Sequence, residues 1–140
     1  FREYAKRLGG YCRLDCLELS EERLPERPSE KEIAAALERE GAEILKAVPQ
    51  DAWLCALCVE GRQISSEALA SLIAERENSS RPKLCFVIGG SFGLAPSVKQ
   101  RADFRLSFSP MTFPHHLARV MLAEQLYRGF KINEGSRYHK

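Results

Sequence analysis

Apolar and polar positions along this chain alternate between two periods, and the switches between them mark the elements. Phe1, Tyr4, Ala5 and Leu8 recur at helical spacing, and Gly9-Gly10 ends that pattern. Residues 11–19 roughly alternate apolar with polar and predict a strand. Residues 20–28 carry two prolines and read as a polar loop. Ser29 and Glu32 have the spacing of a capping box, in which each side chain satisfies a free helix-start amide. They open a predicted helix to about Ala47, with Ile33, Leu37, Ile44 and Leu45 on one side. Residues 53–59 are continuously apolar, as in a strand buried on both faces, and Gly61 is expected to end it. Ser65 or Ser66 caps a helix to about Glu77, with Leu69, Leu72 and Ile73 inward. Residues 83–88 predict a second buried strand closed by Gly89-Gly90. A short helix over 96–102 and a short strand over 104–108 follow. Pro114 opens a last helix, where its missing amide does no harm. Its period shows in Leu117, Val120, Met121, Glu124 and Tyr127. Residues 131–140 form a polar tail.

Strands and helices alternate, and the two strongest strands are continuously apolar. That predicts an α/β domain with a mainly parallel sheet flanked by helices. The 140 residues fit one domain, spanning 1–140. A chain of this length buries roughly 70% of the surface that its unfolded form exposes, enough for a core without metal or disulfide staples. The hydrophobic share of 44% and charged share of 29% are those of an ordinary globular protein. No apolar run approaches the length needed to cross a bilayer, so no membrane partner is expected. No signal-peptide pattern opens the chain, and the expected location is cytoplasmic.

Charge changes the picture by its placement. The net charge is only +2. However, residues 18–43 are rich in acid, whereas Arg101, Arg105, Arg119, Arg128, Lys131, Arg137 and Lys140 outnumber Asp103, Glu124 and Glu134 at the other end. Five cysteines, an odd number with three in apolar runs, suggest reduced buried thiols rather than a disulfide framework.

Four features could carry chemistry. Ile88-Gly89-Gly90-Ser91-Phe92-Gly93 follows a buried strand, where α/β sheets bind ligands and glycines let them reach the backbone. Its spacing fits neither a dinucleotide fingerprint nor a phosphate-binding loop, and it reads equally as a tight turn. Cys55 and Cys58 sit three apart inside a strand and point to opposite faces, with no second pair. Buried core is the better reading there, and no metal is expected. His115 and His116 point in different directions around a helix start and make poor co-ligands. On composition alone, Arg137-Tyr138-His139-Lys140 is a solvated terminus. It also combines two cations, a stackable ring and a group titrating near neutral pH, as RNA recognition and proton transfer would need.

Several motifs in one order add to this reading. Residues 86–94 (FVIGGSFGL), 106–115 (LSFSPMTFPH), 124–128 (EQLYR) and the terminal Tyr138-His139-Lys140 resemble the bacterial large-subunit ribosomal RNA pseudouridine N3-methyltransferases of the SPOUT superfamily. Arg7-Leu8-Gly9 and residues 29–32 extend the resemblance over nearly the whole chain. It implies an α/β sheet with a C-terminal trefoil knot and the cofactor site roughly within 83–130. Sequence periodicity could not have revealed a knot. It implies S-adenosylmethionine as cofactor, held by Leu57, Gly89, Phe108, Ser109, Pro110, Met111, Thr112 and Phe113. It implies a homodimer that methylates N3 of a pseudouridine in 23S RNA of the assembled ribosome. His139 and Tyr138 are then the candidate catalytic residues, and Arg128, Arg137 and Lys140 the candidate RNA-binding ones. Arg119 would contact RNA or the partner subunit. Two departures stand out: the family opens with a further strand before the first helix, and Pro110 stands where lysine is usual. The competing readings are a non-catalytic knotted module binding S-adenosylmethionine or ribosomes, and a SPOUT enzyme acting on transfer RNA.

Overall fold

The computed structural model describes residues 1–139. In chain order the elements are α1 (Arg2–Leu8), α2 (Glu30–Ala47), β1 (Trp53–Gln63), α3 (Ser66–Glu77), β2 (Leu84–Ile88), α4 (Pro96–Arg101), β3 (Phe104–Ser107) and α5 (His115–Asn133). The capping box forms as the sequence predicts: Ser29 Oγ accepts from Glu32 N and Glu32 Oε1 accepts from Ser29 N, both at 3.1 Å. Ser65 caps α3 by accepting from Ala68 N at 3.0 Å.

The three strands are parallel, in the order β2-β1-β3. Leu54, Ala56 and Val87 line one sheet face and pack with Leu94, Ala95 and Val98, at and beside α4, and with Leu37, Ile44 and Leu45 of α2. On the other face Arg76 of α3 stacks over the Trp53 ring, 5.0 Å from its centroid. There α3 packs along α5, and α5 carries α1 through Leu8, Ala123 and Tyr127. The helices following β1 and β2 thus lie on opposite faces, which leaves a crevice at the strands' carboxyl ends.

Two sequence expectations need correction. Residues 11–19 form no strand. A strand needs a ladder partner, and this segment has none among the described residues; Leu14, Leu17 and Leu19 stand 38%, 73% and 45% exposed. Nor does Gly61 end β1. The strand leaves its register with β3 after Leu57 and regains it at Arg62. A Cβ on Gly61 would lie 2.8 Å from the carbonyl carbons of Arg105 and Leu106, so glycine permits the close approach that brings β1 back.

Asp103 ties the sheet's amino end together. Its Oδ2 accepts from Leu54 N at 2.8 Å and from Arg81 at 3.2 Å, and Arg101 lies 3.4 Å away. Partial burial pushes this carboxyl up, but the Leu54 amide and the two guanidinium groups outweigh burial and hold it below its ordinary 3.8. A depressed carboxyl contributes stability that is complete above its unfolded value and is lost as pH falls through the folded one. Asp103→Asn should therefore cost about 1–3 kcal/mol at pH 7, because a charged acceptor is lost. Urea midpoints of the variant and the parent should converge as pH falls through the carboxyl's depressed folded value. A gap that stays constant with pH would contradict this.

Candidate functional site

The carboxyl ends of the strands gather the first group of expected site residues. Leu57 pairs with Ile88 on one side and Leu106 on the other. The next positions outward are Gly89 and Ser107; β1 loops out after Leu57 and meets Ser107 again through Gln63. With β1 between them, and at about 4.8 Å per strand spacing, β2 and β3 lie roughly 10 Å apart.

Gly89-Gly90 forms a tight turn, with Gly93 N donating to Gly90 O at 3.1 Å. A Cβ on Gly89 would meet the carbonyl carbon and oxygen of Gly93 at 2.5 Å, and Gly93 itself has φ +85°. The glycines are thus required by the turn, whichever ligand it faces. Ser107 is buried, and its Oγ accepts from Ser109 N and donates to Ser109 O at 3.0 Å. Ser109 Oγ in turn accepts from Met111 N at 3.0 Å. These bonds shape the 108–113 loop. Phe108, Ser109 and Phe113 are half-buried, Pro110 and Thr112 exposed, and Met111 is 71% exposed. Residues 107–114 carry no ionisable side chain.

The glycine turn also opens on a cleft of about 420 Å³ beside the free edge of β2. Residues 14–21, α2 and the first turns of α5 close it, whereas the 108–113 loop does not line it. His115, His116 and Arg119 stand there. Arg119 is ion-paired with Glu18 and stacks over Phe1, 4.5 Å from the ring centroid, so Glu18 already engages its charge.

Cys55 is fully buried and its thiol is pushed up to about 12, by burial first and then by Cys58 and Cys85. It belongs to the core.

Tyr138 and His139 pack onto the body of the protein. Tyr138 packs edge-on against Tyr127 with centroids 5.0 Å apart, and Arg128 lies 5.0 Å over the Tyr138 ring. Burial first, then a bond with Tyr4 and the nearby Glu124, push the Tyr138 hydroxyl up to about 12. At neutral pH it is a hydrogen-bond donor, and it donates to Glu124 Oε1 at 3.3 Å. Arg128 Nε donates to the same Glu124 oxygen at 2.9 Å. Arg128 Nη1 lies 3.0 Å from His139 Nδ1, and His139 Nε2 lies 2.6 Å from Glu67 Oε1. The Glu67 carboxyl is held below its ordinary value, first by its own backbone amide and then by His139. The structure therefore joins His139, Tyr138 and Arg128 in one cluster. Arg137 is exposed beside it, and Lys140 lies outside the described residues.

Sequence reasoning missed Glu67 and Glu124. Glu124 was legible as a position in a helical period and in the 124–128 motif but not as a partner of the tail, and Glu67 sits 72 residues from its partner. Only the packing of α3 on α5 brings Glu67 to the tail. That packing is fixed by Ser66 Oγ donating to Gln125 Oε1 at 2.6 Å and Asn133 Nδ2 donating to Ala70 O at 3.0 Å.

A parallel α/β sheet with a glycine turn and an uncharged loop at its carboxyl ends has these segments where α/β proteins of this class bind their ligands. Residues 1–139 match the family described as "Predicted SPOUT methyltransferase". The chain is also 47% identical over 138 residues to a "Ribosomal RNA large subunit methyltransferase H" of Clostridium beijerinckii, covering 99% of this chain and 87% of that relative. A protein of the same name from Bifidobacterium adolescentis is 48% identical over 141 residues, and a "Putative ribosomal RNA large subunit methyltransferase H" of Methanococcus maripaludis is 44% identical over 138, with the same shares covered. The chain belongs to the SPOUT methyltransferase family, and it is a methyltransferase.

Proposed function

We propose that this protein uses S-adenosylmethionine to methylate N3 of a pseudouridine in large-subunit ribosomal RNA, within the assembled ribosome and as a homodimer in the cytoplasm. The observation that carries the reading is the register placing Leu57 between Ile88 and Leu106, with the glycine turn and the 108–113 loop just beyond. Leu57, Gly89, Phe108, Ser109, Pro110, Met111, Thr112 and Phe113 hold the cofactor. The residues fit it: apolar side chains suit the faces of an adenine, backbone amides and carbonyls suit its edges, and no carboxylate or ammonium competes. When bound, the cofactor supplies a methyl group activated by its positively charged sulfur. The chain covers 87% of the relatives' length. The open β2 edge and the cleft beside it leave room for the further strand that the resemblance implies, and residues 83–130 carry the knot.

The protein's own groups orient the accepting base and manage its proton. The N3–H bond breaks toward His139 Nδ1 while the nitrogen keeps the electron pair. Tyr138, neutral and donating, holds the base edge or stacks on it. Arg128, Arg137 and Lys140 hold phosphates. Arg128 covers Nδ1 in this structure, and a phosphate that draws it away uncovers the lone pair. Exposed Leu117 at the start of α5 and Met111 in the loop supply apolar surface for a second subunit.

Calorimetry with S-adenosylmethionine, followed by tritiated-methyl transfer to ribosomes and to transfer RNA, tests the reading. Binding and label in ribosomal RNA alone are expected. Binding without transfer would identify a non-catalytic module, and label in transfer RNA would identify a different enzyme.

A further inference from the structure

The His139 imidazole bridges two elements. Nδ1 faces Arg128 of α5 at 3.0 Å, and Nε2 faces Glu67 of α3 at 2.6 Å. A guanidinium has only donors. Nδ1 must therefore be the acceptor, which leaves the hydrogen on Nε2, and a carboxylate has only acceptors to receive it. The other tautomer would set a donor against Arg128 and a lone pair against Glu67.

We propose that Glu67 is a positioning residue for methyl transfer: it holds His139 in the Nε2–H tautomer, so that the Nδ1 lone pair is available to the leaving proton. The inference rests on the reading of His139 as the proton-transfer group. A proton arriving at Nδ1 makes the ring a cation, and the Glu67 carboxylate then lies 2.6 Å from its Nε2–H. This is the relation by which a carboxylate orients and stabilises a catalytic imidazole elsewhere. The groups that contact the imidazole are Glu67 from α3 and Arg128 from α5, and Arg128 is itself paired with Glu124, which also accepts from Tyr138.

Fold stability does not explain the contact. Glu67 is 62% exposed, and pairs of this kind contribute little to folding. The side-chain cap of α3 is Ser65, and the Glu67 carboxylate, besides meeting its own first-turn amide, extends to His139. What is particular to Glu67 is that it reaches the tail. The Ser66–Gln125 bond, one residue along, sets the first turn of α3 against α5 and so fixes where its carboxylate falls.

Steady-state transfer to ribosomes with Glu67→Ala, Glu67→Gln and His139→Ala, alone and as the double Glu67→Ala/His139→Ala, tests this. Glu67→Ala is expected to lower kcat about tenfold, the size of effect seen when an orienting partner is lost. KM for ribosomes and for the cofactor should stay within about twofold, as for a group that acts only in the transition state. Glu67→Ala should cost nothing further in the His139→Ala background, since the two act as one unit. Nitrogen-15 spectra of labelled histidine should show one Nε2–H tautomer for His139 in the parent and in Glu67→Gln, which keeps an acceptor oxygen, and a mixture in Glu67→Ala. An unchanged kcat in Glu67→Ala, or a change confined to KM, overturns the inference while the His139 reading stands. If His139→Ala itself transfers methyl at the parent rate, that reading fails, and this inference with it.

Discussion

Removing residues 137–140 is expected to lower methyl transfer to ribosomes by about 100-fold or more, while S-adenosylmethionine affinity changes by less than about twofold. The rate effect is that of losing a positioned proton acceptor together with a hydrogen-bond donor. His139 and Tyr138 go, and with them the Nδ1 lone pair and the neutral hydroxyl. What remains is an Arg128–Glu124 pair with nothing to move a proton to. The cofactor segments are separate. Gly89 and the 108–113 loop are shaped by bonds within their own turns, such as Gly93 N to Gly90 O and Met111 N to Ser109 Oγ, and none involves the tail. Calorimetry and initial rates on the same truncated protein check both halves. Transfer at the parent rate would remove the tail from the mechanism. A large loss of cofactor affinity would show that the two halves are not separate.

The second large effect is expected from Gly89→Ala. The new methyl would sit 2.5 Å from the carbonyl carbon and oxygen of Gly93, which is backbone and cannot swing aside. The turn must open, and with it the spacing between the glycine turn and the ends of β1 and β3. Cofactor affinity should fall at least about tenfold, or about 1.4 kcal/mol. The melting temperature should fall by several degrees. Gly135→Ala is the control. Gly135 also has positive φ, at +76°, but a Cβ there meets nothing within 4 Å. That substitution should cost about 1 kcal/mol of backbone strain and leave cofactor affinity intact. Titration calorimetry on both variants decides: unchanged affinity in Gly89→Ala would take the glycine turn out of the pocket.

Much of the frame was legible from pattern because its causes are local. The capping box at Ser29, the continuous apolar run from Trp53, and Pro114 at the start of α5 each act within a turn or two of chain. Failures came where a distant partner decides. The alternation over residues 11–19 suits a strand, but alternation supplies no ladder, and no neighbour pairs there. Gly61 looked like a strand end because glycine usually weakens strands; here it lets β1 return to β3.

The candidate site divides along the same line. The glycine turn and the 107–114 segment are contiguous and stand out in sequence, first as an ambiguous loop and then through the resemblance. The tail's chemistry was visible in Tyr138 and His139, yet its composition alone suggested a solvated end. Burial against Tyr127, and the carboxylates of Glu67 and Glu124, make it an ordered cluster. Neither glutamate announces itself, because each lies on a helix among other charged residues.

The most direct test of the account is nucleoside mass spectrometry of large-subunit ribosomal RNA, taken after ribosomes lacking the modification are incubated with this protein and S-adenosylmethionine. The account predicts one pseudouridine gaining one methyl group, with fragmentation placing it on N3. A methyl on any other nucleoside or atom, or on transfer RNA alone, would contradict it.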